Sequence, residues 1–171
     1  MDPSIETPGD DVRLEGMAAR LKERVYVTFT ALATVLALSS HEESGGEAAS
    51  TLLIAVLGTV LAVFLADVVS HIVVHEMLPG RGAVREMAQV SFGALGAVAL
   101  PFIFVGLALA DVWSMDAALY AASVALVVAL VAIGFLAIRR VRLSVWKRLV
   151  VLLAEFALGA LVLGLELLAH G

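Results

Sequence analysis

The 171-residue chain has no cysteine, four prolines, and little aromatic (6%) or charged (16%) character. Without cysteine there is no disulfide, no thiolate zinc site and no iron–sulfur cluster. No aromatic-laced basic face is present, so nucleic acid is not an expected partner. No Ser-His-Asp order, glycine-rich phosphate loop or HExxH motif occurs, and no enzyme activity is expected. The N-terminus MDPSIETPGDD lacks the charged start and short apolar core of a removable signal. Positive charge is missing from HEESGGEA (41–48), from DVWSMD (111–116) and from everything after residue 148.

What is there is apolar: 61% hydrophobic residues and a mean hydropathy of +1.02, a membrane composition. The pattern predicts an all-α integral membrane protein with five transmembrane helices. Residues 1–10 read as a disordered acidic tail with Pro3 and Pro8. Residues 11–24 read as an amphipathic surface helix, with Leu14, Met17, Ala18 and Leu21 on one face. The spans follow at about 25–40, 49–78, 87–110, 117–138 and 149–168 within a domain of residues 25–171. Pro101 should kink the third span, and Gly93, Ala94 and Gly96 should let a neighbouring helix approach closely. All 11 Lys and Arg fall in the N-terminal segment, the second-to-third turn or the fourth-to-fifth turn. Five spans place those positions on one side, so the N-terminus is expected in the cytoplasm and the C-terminus outside. The abundance of alanine, valine and arginine is associated with bacterial proteins, and the membrane expected is the bacterial inner (plasma) membrane.

The second span carries the chemistry. In TLLIAVLGTVLAVFLADVVSHIVVHEML, Asp67, His71 and His75 follow at intervals of four and form a stripe on one helical face. A rise of about 1.5 Å per residue puts Asp67 roughly 14 Å inside Glu76. A charge at such depth costs about 2.5–3.5 kcal/mol on the mildest scale, and ionisable residues there are by default functional. His-x-x-x-His offers two imidazoles to a metal, and further ligands must come from Asp67 or from Glu155 of span five, at the depth of His71 by residue count. Thr30, Ser70 and Glu76 complete the candidate lining of a path. The same groups can carry protons, because metal binding to imidazole and carboxylate displaces them. His41, His170 and Glu166 fall outside this stripe.

Three stretches carry a family resemblance. LADVVSHIVVHEM, SFGALGAVALPFIF and IGFLAIRRVRLSVWKRLVVLLAEFALGALVLG resemble the second helix, third helix and helix-turn-helix ending of the vacuolar iron transporter family. The resemblance implies five spans, a homodimer and iron transport, and places His71 at the family's metal-binding methionine. VYVTFTAL departs from the family by placing Thr30 and Ala31 where an Asp-Gly pair is expected. PGRGAVRE is a mere turn in place of the family's cytoplasmic helical domain. The chain is thus identified as a divergent, minimal relative.

The first expectation is a proton-coupled transporter of a divalent metal cation, iron or manganese. The ion is its substrate, with no permanently bound cofactor, and the partners are membrane lipid, the cation and a second copy of the chain. The alternatives are a non-transporting structural or signalling membrane protein and a small proton or cation channel.

The charge asymmetry makes topology testable, because single cysteines can be introduced into a thiol-free chain. Labels at Ser44 and Ser114 are expected to react from outside the cell and one at Ser144 from inside. Outside labelling at Ser144 contradicts the expected topology.

Overall fold

The computed structural model describes residues 8–39 and 45–139, together with Trp146, Val150 and Leu153. All regular structure among the described residues is helical. The elements are α1 (Pro8–Ser39), α2 (Gly45–His75), α3 (Arg81–Gly93), a 3-10 segment (Ala94–Val98), α4 (Ala99–Leu109) and α5 (Met115–Arg139).

Three stretches are long and apolar enough to cross a bilayer: Gly45–His75, Arg81–Leu109 and Met115–Ala137, with hydropathies of 2.7, 2.3 and 2.5. Only 17%, 22% and 28% of their apolar windows are buried within the protein. Most of their side chains therefore face outward, where lipid rather than water can accommodate them. The chain is an integral membrane protein.

The remaining two expected spans stand differently. Of residues 149–168 only Val150 and Leu153 are described, and the tail before Pro8 lies outside the described residues. The expected surface helix and first span are one unbroken helix, α1, which begins at Pro8. Proline is well placed there, since a helix's first turn needs no N–H partner. α1 is not among the three membrane candidates, because Lys22, Glu23 and Arg24 cut short the apolar run that begins at Val25.

α1 packs against α2, α3, the 3-10 segment and α5, while α4 packs against α5. Its buried stripe is Val27, Ala31, Val35 and Leu38, the spacing of one helical face. α2 answers with Ala48, Leu52, Val56 and Val60, and α5 with Leu119, Ala122, Leu126 and Leu130. The fully buried residues of α2 end at Val60. From there to His75 none of its residues is fully buried, and the site described below lies along this half of the helix.

The expected kink at Pro101 appears as a change of helix type ahead of it. Proline has no N–H and its ring clashes with the carbonyl four residues earlier, here Ala97. The chain accommodates both by tightening into the 3-10 segment Ala94–Val98, with Val98 at φ −107° and ψ 9° before α4 begins. Of the small residues, Ala94 is fully buried. Apart from their chain neighbours and their own helix backbone, nothing lies within 4 Å of where a Cβ would sit at Gly93 or Gly96. Their smallness is not needed for packing among the described residues.

The turn between α4 and α5 is built from caps. The N–H of Val112 donates to the Leu107 carbonyl at 3.0 Å and that of Asp111 to Ala108 at 3.1 Å, the paired bonds of a Schellman ending. This places Asp111 at φ 57°. The N–H of Ala117 then donates to Ser114 Oγ at 3.3 Å, an N-cap for α5. Trp113 folds back onto Phe104, ring centres 5.5 Å apart.

Asp111 occupies the left-handed region that glycine adopts without steric cost. Asp111→Gly is expected to stabilise the protein by about 0.5–1 kcal/mol and Asp111→Val to destabilise it by more. Thermal unfolding in detergent measures both. A lower melting temperature for Asp111→Gly contradicts this role.

Candidate functional site

Beyond Val60, α2 leaves an open cleft of about 450 Å3 between itself, α1 and α3. Gly16 and Ala19 of α1 form one wall. Asp67, Ser70, His71 and His75 of α2 form the second, and Glu86 and Val90 stand on α3. The stripe expected from the sequence therefore does line one cavity. Thr30 and Glu76 are not in its wall; Thr30 instead accepts a bond from Thr34 Oγ1 at its carbonyl, 2.9 Å. Glu76 is exposed at φ 53°, where α2 ends. Glu155 lies outside the described residues.

The two histidines share a face but do not converge as a chelate. Their rings stack with centroids 4.2 Å apart and planes 21° apart. Imidazole lone pairs lie in the ring plane, so in this arrangement they run nearly parallel instead of meeting at one ion. The Nδ1 of His75 lies 3.1 Å from the His71 carbonyl oxygen. A carbonyl only accepts, so Nδ1 carries the proton in this bond and Nε2 remains for a ligand. Among the described residues, no three His, Asp or Glu side chains gather closely enough to hold a metal ion.

Asp67 is three-quarters buried, with a side-chain exposure of 25%, and its Oδ1 lies 3.9 Å from Lys22 Nζ. Lys22 is 53% exposed, so solvent screening holds the pair to about 0–1 kcal/mol. Such a contact tethers the lysine loosely.

Behind Asp67 sits a residue that sequence reasoning assigned to a solvated surface helix. Glu23 of α1 is fully buried, with 0% exposure. Its polar neighbours are Asp67 from α2 and Ser91 from α3. Neither carboxylate oxygen of Glu23 has a hydrogen-bond partner among the described residues, and neither does the Ser91 hydroxyl. The Thr28 hydroxyl, also fully buried, is in the same condition. A signal for Glu23 was present: it stands four residues before Val27 and continues the stripe Val27, Ala31, Val35. Its charged neighbours Lys22 and Arg24, both exposed, masked it.

The arrangement thus joins an open vestibule carrying two imidazoles and Glu86 to an inner acidic pair, Asp67 and Glu23. Chemically it can admit hydrated cations, bind them through oxygen and pass protons through imidazole. Known family models, curated proteins and solved structures give no match to this chain.

Proposed function

We propose that the protein is a proton-coupled transporter of divalent metal cations, iron or manganese. The observation that supports this reading most is the cleft lined by Asp67, an ionisable residue well inside the long apolar helix α2. Carboxylates at such depth that face a water-accessible cavity mark ion and proton paths. The cleft is lined by His75 at the end of α2 and by Ala83 and Glu86 at the start of α3, close in sequence to Arg81 and Arg85 and so to the side that the positive-inside rule assigns to the cytoplasm. Five spans, with the fifth at 149–168 and Glu155 on the path, belong to the same reading. So do the distant relationship to vacuolar iron transporters and placement in a bacterial inner membrane.

In this reading His71 and His75 guard the mouth. Stacked 4.2 Å apart, they repel each other strongly if both are charged. The pair stands beside the path without chelating the ion, and imidazole can pass protons along it. A homodimer is part of the proposal, with the open faces of Gly93 and Gly96 able to bring two copies close.

Purified protein in liposomes containing a metal-quenched dye is expected to take up manganese and iron(II) when a proton gradient is imposed. Asp67→Asn is expected to slow this by about tenfold or more, as loss of about 1.4 kcal/mol in the occupied state requires. Absence of flux for both metals, or flux indifferent to the proton gradient, contradicts the proposal.

A further inference from the structure

Glu23 of α1 has Asp67 of α2 and Ser91 of α3 as polar neighbours, so three different helices bring oxygen groups to it; of the three, Asp67 lines the cleft. Glu23 is 0% and Ser91 1% exposed. Three oxygens, both of Glu23 and the one of Ser91, have no hydrogen-bond partner among the described residues. Buried polar groups in folded proteins are almost always satisfied, and a buried carboxylate demands compensation most of all. Lys22 supplies little of it. Its ammonium stands 3.9 Å from Asp67 with half its side chain in solvent.

We infer that Glu23, Asp67 and Ser91 form an all-oxygen binding site for a hard divalent cation, and that Lys22 is its built-in competitor. The inference rests on the transport reading only for the direction from which the ion arrives. Two carboxylates balance a divalent charge, and oxygen donors suit ions of the magnesium and manganese kind. Such ions retain several waters, and the cleft on the open side of Asp67 has room for them. The histidines stand apart from this chemistry: His71 lies a turn farther along α2 in the cleft wall, and the stacked pair does not converge. A monovalent ammonium on a flexible stem neutralises one carboxylate loosely, so a divalent ion that bridges both displaces it. Lys22 then turns fully into solvent. The site selects by charge and hardness, and the lysine sets how high the cation concentration must rise before it is occupied.

The test uses the full-length chain in nanodiscs and manganese(II), whose free-ion electron paramagnetic resonance signal disappears on binding. Wild type is expected to bind manganese saturably. Glu23→Gln is expected to weaken binding by about tenfold or more and Ser91→Ala by severalfold, while Lys22→Met tightens it by severalfold. His71→Ala is expected to leave the affinity within about twofold of wild type, the spread normal for a residue outside the contact set. Metal-free melting of Glu23→Gln reports folding separately, and it is expected at or above the wild-type temperature, because a buried carboxyl that burial and the neighbouring Asp67 push toward its neutral form is replaced by a neutral amide of the same shape. If Glu23→Gln does not fold, Ser91→Ala and Lys22→Met decide, and unchanged affinity in both overturns the site. Folded Glu23→Gln that binds like wild type, or loss of binding on His71→Ala, also overturns it. Saturable Glu23-dependent binding without liposome flux contradicts the transport reading alone; Asp67-dependent flux without Glu23-dependent binding contradicts this site alone.

Discussion

The burial of the Glu23 carboxylate is the constraint on which the lower half of the bundle depends. Every apolar contact of α1 that orders Val27, Ala31 and Val35 into the core also carries Glu23 inward, because all four lie on one helical face. The helix cannot bury the first three and solvate the fourth while remaining straight. The groups that meet it are Asp67, Ser91 and, at the edge, Lys22. The fully buried stripe of α2 ends at Val60, short of Asp67, which stays a quarter exposed and lines the cleft. The opening of the cleft and the burial of the acid are two consequences of one packing arrangement.

Much of the fold was legible in the sequence for a simple reason. Lipid requires apolar side chains outward along the whole length of a crossing helix, and three of the expected spans appear with ends displaced by only a few residues. The effect of Pro101 was legible too, since its missing N–H acts through covalent chemistry. Its form was not: tightening into a 3-10 segment depends on how Ala94 and Val98 pack against α1. Nor was the continuity of α1 visible, because Lys22, Glu23 and Arg24 look like a membrane boundary when read by composition.

The site was legible by half. Spacing of four residues fixes a shared helical face, so Asp67, His71 and His75 line one cleft as expected. Spacing does not fix ring orientation, and the imidazoles stack, with that of His75 bonded to backbone, instead of pointing at a common centre. The deeper residues, Glu23 and Ser91, are separated in sequence from each other and from Asp67. Their meeting is a property of how α1, α2 and α3 pack, which no local pattern encodes. The four-residue register of Glu23 with Val27 was the only trace.

Anomalous scattering from crystals of the full-length protein soaked in manganese(II) tests the central claim most directly. The result expected is one strong peak within coordination distance of Glu23, Asp67 and Ser91, with Lys22 turned away from Asp67. A peak held by the imidazoles of His71 and His75 with none beside Glu23, or no peak in the cleft at all, contradicts it.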